Sequence, residues 1–130
     1  MVHKNKAKGT KYENELYDLL VGAGYRCIRS AGSGTKTETN LDILAGKSKK
    51  IFGIEVKSCK GKCRYIDKGQ IEQFLIFSEI FGANPAIAGR FNRQGWFFLS
   101  PQDLEDSGKN WALSLKRAKE KGKRFSQFFE

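Results

Sequence analysis

The chain holds one histidine, one methionine, two prolines and three cysteines among 130 residues. The lone histidine, His3, lies in a run of lysines that reads as a basic arm, so histidine-centred general-base chemistry and histidine-rich zinc sites are nearly excluded. Cys27, Cys59 and Cys63 form an odd set, which argues against a disulfide framework. The Cys59-x3-Cys63 spacing permits a zinc pair, but no neighbouring histidine or second cysteine pair completes four ligands, and reduced thiols are expected. No apolar run approaches the length of a signal peptide or a membrane span. An intracellular protein is expected, without membrane partners: cytoplasmic, beside the nucleoid or in a host cytoplasm if viral. Neither a Walker A nor a dinucleotide-binding glycine pattern is present, the "GSGT" stretch being too short.

What the chain has in excess is positive charge. Twenty-four Lys and Arg face 14 Asp and Glu, a formal net charge of +10. The surplus runs from Lys4 to Lys11, from Lys57 to Arg64 and from Lys116 to Arg124. Such a field suits a polyanion, above all nucleic acid; the alternative is a merely soluble basic protein. RNA binding ranks low, because neither RNP-type aromatic strands nor a KH-type loop is present.

A single domain over residues 1–130 is expected, with a flexible basic arm at 1–9. Thr10 and Glu13 form a T-x-x-E capping box, opening a first helix with Tyr12, Leu16, Leu19, Leu20 and Ala23 on one face. "YRCIRS" reads as a strand and "AGSGTKTETN" as a polar loop. "LDILA" and "KIFGIEV" read as strands joined by a "GKSK" hairpin. "CKGKCRYIDKG" reads as a basic loop, and Asp67 as the cap of a second helix over 68–81, ended by Gly82. "AIAGRF" and "GWFFLS" read as further strands, and Ser100-Pro101 as the start of a short helix. "WALSL" is either a last strand or the beginning of a basic helical tail over 114–130. The order of elements predicts an α/β fold, a mixed central sheet flanked by helices.

Strand alternation places Gly53, Glu55 and Lys57 on one face, opposite Phe52, Ile54 and Val56. An even-numbered hairpin loop sets Asp42 against Gly53 or Glu55, and either register brings Asp42 to the Glu55–Lys57 face. Two carboxylates converging on a gap left by Gly53 suit a hard divalent cation, with Lys57 beside it to orient water or steady charge on a phosphate. Glu13 falls inside the apolar arc of the first helix and is the expected third carboxylate, in need of a partner that a metal would supply. The alternative is an ordinary strand pair with a weak surface ion pair.

In this order, "KGTKYENEL", "RSAGSG", "LDILA", "IEVKS" and "FSEIFG…PAIAGRF…GWFFLSP" resemble the archaeal-type Holliday junction resolvases. These are four-way-junction endonucleases of the PD-(D/E)xK superfamily, and the resemblance covers residues 8 to about 101. It implies a restriction-endonuclease-like core and paired, symmetric, metal-dependent phosphodiester hydrolysis of DNA four-way junctions. Asp42, Glu55 and the Val56 carbonyl would hold Mg²⁺ or Mn²⁺, Glu13 would join through water, and Lys57 would activate the attacking water. Arg29 would contact phosphate, Ser30 and Ser33 the scissile strand, and Gln70 matches a glutamine some members carry. Lys8, Lys36, Lys60, Lys62, Arg64 and Lys68 are the further expected DNA contacts. Asn14 stands where many members have a basic residue, and Leu41 where the superfamily has proline. A nuclease for other branched or duplex DNA, or a non-catalytic junction-binding protein, are the alternatives.

The second helix is apolar nearly all round. Ile71, Phe74, Leu75 and Ser78 face the sheet, and Ile76, Phe77, Ile80 and Phe81 are left over. A homodimer through those four residues is expected, and the resemblance implies the same. Phe125, Phe128 and Phe129 faintly resemble a sliding-clamp-binding peptide, though Gly122 stands where that motif has glutamine; docking on the chain's own domain or on its dimer partner is the alternative.

Overall fold

The computed structural model describes residues 2–30 and 41–129, residues 2–8 by their backbone alone. The elements in order are α1 (Val2–Gly22), β1 (Arg26–Arg29), β2 (Ile43–Lys47), β3 (Lys50–Cys59), β4 (Cys63–Asp67) and α2 (Lys68–Ile80). There follow β5 (Asn84–Phe91), β6 (Gly95–Leu99), a 3₁₀ turn (Pro101–Asp103), β7 (Glu105–Ser107), β8 (Asn110–Ser114), α3 (Leu115–Lys121) and α4 (Phe125–Phe128). A five-stranded sheet in the order β1-β2-β3-β5-β6 forms the centre. Only β3 and β5 run parallel; the other pairs are antiparallel, so the expected mixed sheet is present. No helix among the described residues is long and apolar enough to cross a membrane.

Side-chain alternation divides the core in two. Ile43, Ala45, Ile54, Ala86, Ala88 and Phe98 pack against Leu16, Leu20 and Tyr25 on one face. Leu41, Ile87, Phe91, Phe97 and Leu99 pack against Ile71, Phe74, Leu104 and Leu113 on the other. The β2–β3 hairpin closes between paired Lys47 and Lys50, leaving Ser48 and Lys49 at φ 49° and 72°. This left-handed pair matches the twist of a two-residue hairpin without the usual Asn-Gly.

Four expectations are corrected. Helix α1 starts at Val2, so residues 2–9 are not a separate arm and Thr10 lies inside the helix rather than at its cap. Lys4, Lys6, Ala7 and Lys8 are good helix formers, and a single Gly9, at about 1 kcal/mol, does not break the helix. Leu19 is 41% exposed and Leu75 38%, so each lies at the edge of its apolar stripe. The basic stretch after Cys59 contains strand β4, which pairs antiparallel with β8 in a second sheet, β4-β8-β7. The tail is not one helix. Gly122 ends α3, where a Cβ would lie 2.5 Å from the Ala118 carbonyl oxygen, and Lys123 pairs with Phe98 along the edge of β6.

That pairing delivers the terminal aromatics onto the domain itself. Phe129 is 3% exposed and meets Tyr25, Phe52 and Phe98 at centroid distances of 5.7, 5.1 and 4.9 Å. Phe129→Ala should therefore cost about 3–5 kcal/mol of folding stability, measured by urea denaturation, although the residue is next to last in the sequence.

Candidate active site

At one end of the central sheet, the close of β1, the approach to β2 and the second half of β3 meet the side of α1 and the start of α2. The β2–β3 register sets Ile43 opposite Ile54, so Asp42 falls opposite Glu55, the second of the two registers the sequence allows. The backbone fixes Asp42 doubly. Its N–H donates to the Ile54 carbonyl at 2.9 Å, and its Oδ2 accepts from the Val56 N–H at 2.8 Å. Glu55 is 5% exposed; its Oε2 accepts from Gln70 Nε2 at 2.8 Å and lies 3.5 Å from Lys57 Nζ. Gln70 reaches it from the first turn of α2, where the Gln70 N–H donates to the capping Asp67.

These residues line a cleft of about 470 Å³, together with Gly9, Tyr12, Glu13, Ser58, Lys60 and Arg64. Its acids are held in a demanding state. Burial, then the charge of Asp42, raises the Glu55 pKa from 4.5 to about 8, against the pull of Lys57 and Gln70. Burial raises Asp42 as well, opposed by the Val56 N–H, Lys57 and Arg29. Two desolvated carboxylates that repel each other are relieved by a proton or by a cation. An all-oxygen donor set of this kind, in a cleft that Val56 also lines, fits a hard divalent ion such as Mg²⁺ or Mn²⁺.

Glu13 stands in the same cleft, but the partner it has is Arg29, whose Nε donates to Glu13 Oε1 at 3.0 Å. Burial and Asp42 raise the Glu13 pKa, and Arg29 opposes them. Among the described residues no three His, Cys, Asp or Glu side chains converge as a metal cluster. The Ser30 N–H donates to the Asp42 carbonyl at 2.9 Å, which ties the end of β1 to the acid strand. Gly53 does not leave the expected gap. A Cβ there would lie 2.7 Å from Ser78 Oγ and 3.1 Å from Leu41 Cδ2, so the glycine admits α2 to the sheet.

Lys60 is exposed at the rim, Lys62 is exposed two residues on, and Arg64 donates to the Ser58 carbonyl at 2.8 Å. Lys68 is engaged within the domain, 2.7 Å from Asp106 and over the Trp111 ring at 4.5 Å. Ser33 and Lys36 fall outside the described residues, as does the side chain of Lys8. Cys59 is buried with its thiol pushed up to about 11, Cys63 is exposed, and the three cysteines are free. Sequence reasoning missed the direct hold of Gln70 on Glu55 and the Glu13–Arg29 pair. Both join residues whose separation in the chain carries no periodic signal.

The sign of the Glu55 shift yields a stability test. The folded state keeps a proton that the unfolded chain releases near 4.5, so stability is full below that pH and is lost as pH rises towards about 8. Glu55→Gln removes this loss. In chelator, its melting midpoint should exceed the wild type's at about pH 8, and the gap should close on acidification below 4.5; differential scanning calorimetry measures both.

The family model described as archaeal Holliday junction resolvase (Hjc) matches residues 4–130. Crossover junction endodeoxyribonuclease Hjc of Archaeoglobus fulgidus is 36% identical over 131 residues, covering 95% of this chain and 96% of that protein. The Methanocaldococcus jannaschii protein of the same name is 38% identical over 113 residues, covering 87% and 80%. The solved structure of A. fulgidus Hjc, a Holliday junction resolvase, superposes with a TM-score of 0.85 at 32% identity, over 92% of this chain and 98% of that one.

Proposed function

The chain belongs to the archaeal Holliday junction resolvase family, and on that basis we propose that it cuts DNA four-way junctions by symmetric, divalent-metal-dependent hydrolysis. The observation that carries the reading is the pairing of half-buried Asp42 with buried Glu55 beside Lys57, in a cleft whose rim carries Lys60 and Arg64. A protein that only held junctions would gain nothing from burying acids where phosphates approach.

Asp42, Glu55 and the Val56 carbonyl would hold Mg²⁺ or Mn²⁺, with Glu13 contributing through water. When bound, the ion polarises the phosphate and makes a nearby water more acidic. The Val56 N–H and Gln70 hold the two acids in place before any ligand arrives. Lys57 is 12% exposed and sits where it can orient the attacking water and offset charge on the phosphate. In-line attack forms the new P–O bond as the bond to the 3′ oxygen breaks, leaving a 5′-phosphate and a 3′-hydroxyl. Arg29 and the exposed Lys60, Lys62 and Arg64 supply phosphate contacts, so affinity should depend on shape and fall with salt.

A junction has two-fold symmetry, and two cuts need two sites. The outer face of α2 supports a homodimer: Ile76, Ile80 and Phe81 are 47%, 76% and 51% exposed, and Phe77 stacks on Phe81 at 4.9 Å. Such a patch on one helix is large for a free surface. A sliding clamp enters only if Phe129 is drawn out of the core. The DNA substrate sets the site of action in the cytoplasm.

With Mg²⁺, the protein should place paired nicks in a synthetic four-way junction and leave linear duplex of the same sequence uncut, with no cutting in EDTA. Asp42→Asn should lose cutting by at least about a hundredfold and keep junction binding; cutting at the wild-type rate would place the site elsewhere. Ile80→Glu should shift sedimentation from dimer to monomer and abolish the pairing of nicks, and an unchanged dimer would exclude this face of α2.

A further inference from the structure

The cleft has a wall that the hydrolytic reading leaves unused. Tyr12 precedes Glu13 on α1 and lines the same cleft. Its ring meets Trp96 edge-on, with centroids 6.5 Å apart and planes at 88°. The Arg90 guanidinium lies over the Tyr12 ring at 5.2 Å and over Trp96 at 6.0 Å. Glu15 Oε1 accepts from both Arg90 Nε, at 3.1 Å, and Trp96 Nε1, at 3.2 Å. The cluster is only partly buried.

Its chemistry differs from that of the basic rim across the cleft. Glu15 already balances the charge of Arg90 and satisfies the Trp96 N–H, which leaves exposed Lys11, its Nζ 5.9 Å from the Tyr12 ring centroid, as the cation of this wall open to a phosphate. It holds an aromatic ring in a fixed attitude beside the reacting groups. A ring on the wall of a nucleic-acid cleft, backed by a guanidinium, is the chemistry of base stacking, which tolerates any sequence because every base has a π-face. In linear duplex the bases stack on each other and give such a ring nothing to hold. At a branch point, stacking is interrupted.

We propose that Tyr12, set in place by Arg90, Trp96 and Glu15, stacks on an unstacked base next to the scissile phosphate and so favours branched DNA over duplex. The occupant is the DNA strand in the catalytic cleft, since Tyr12 and Glu13 line one continuous surface. The assignment rests on the junction reading above.

The test uses the whole protein and four-way junctions carrying 2-aminopurine at nucleotides around the cut, in EDTA so that nothing is cleaved. Wild type and Tyr12→Phe should quench the same base. Tyr12→Leu, which keeps apolar bulk but loses the π-face, should restore its fluorescence and weaken junction binding about five- to a hundredfold. Linear duplex affinity should stay within about twofold, and the salt dependence of junction binding should be unchanged, because no phosphate contact is lost. Equal melting midpoints establish that the variants are folded. Tyr12→Leu matching wild type on the junction, or losing junction and duplex alike, would overturn the stacking role. Wild type binding duplex as tightly as junction would instead overturn the junction reading, and stacking with it.

Discussion

Asp42, half-buried, and Glu55, buried, repel each other and nevertheless stand side by side at the end of the central sheet. Most of the architecture follows from keeping them there. A one-residue slip between β2 and β3 would turn Asp42 to the α1 face and separate the pair. Register is therefore pinned at both ends of the hairpin. At the turn, Ser48 and Lys49 take left-handed conformations that cost about 1–2 kcal/mol per residue. At the open end, the Asp42 N–H bonds to Ile54 and the Asp42 carboxylate to the Val56 N–H. The second contact also favours the charged form of Asp42, so one hydrogen bond serves both geometry and chemistry.

Helix α2 completes the site from above the sheet. Its distance from β3 is set by Gly53, whose missing side chain is replaced by Ser78. Its start is fixed by the Asp67 cap, and Lys68 grips Asp106 and the Trp111 ring of the second sheet. Two residues after Lys68, Gln70 meets Glu55. The small sheet β4-β8-β7 thus reaches the Glu55 carboxylate through the first turn of one helix. The helix that orients the acid on its inner side carries the exposed Ile76, Ile80 and Phe81 on its outer side, and any partner covering that face bears on the helix holding Gln70.

The parts of this arrangement visible in the sequence are those with a short repeat. The alternation in β3 and the even hairpin put Asp42, Glu55 and Lys57 on one face, and the apolar stripe of α2 marks the helix that covers it. Contacts set by distant partners were not visible. β4 looked like a basic loop because its pairing residues in β8 lie about fifty positions on, and Arg64 and Tyr65 are exposed. Gly53 was read as a vacancy because strand geometry alone says nothing of what packs above a strand. The tail was read as one helix because its charge pattern is helical; the break at Gly122 follows from the approach of the Ala118 carbonyl, which only the folded chain shows.

The cations divide by what they face, and this separates attraction from chemistry. Near the carboxylates each is engaged inside the protein: Arg29 with Glu13, Lys57 with Glu55, Arg90 with Glu15. These pairs fix positions and temper the local field, and each offers an incoming polyanion less than an unpaired cation would. Lys60, at the rim, and Lys62, beyond it, are exposed and make no ion pair among the described residues. On the proposed reading, phosphate is drawn by the rim and by the net charge of +10, then meets a floor that is complete only once a cation replaces the proton Glu55 keeps up to about pH 8. Strong binding and reactive contact are thereby different states of one complex. On the proposed reading a divalent ion would complete that floor, so cutting requires the metal while the rim cations and the net charge draw DNA without it.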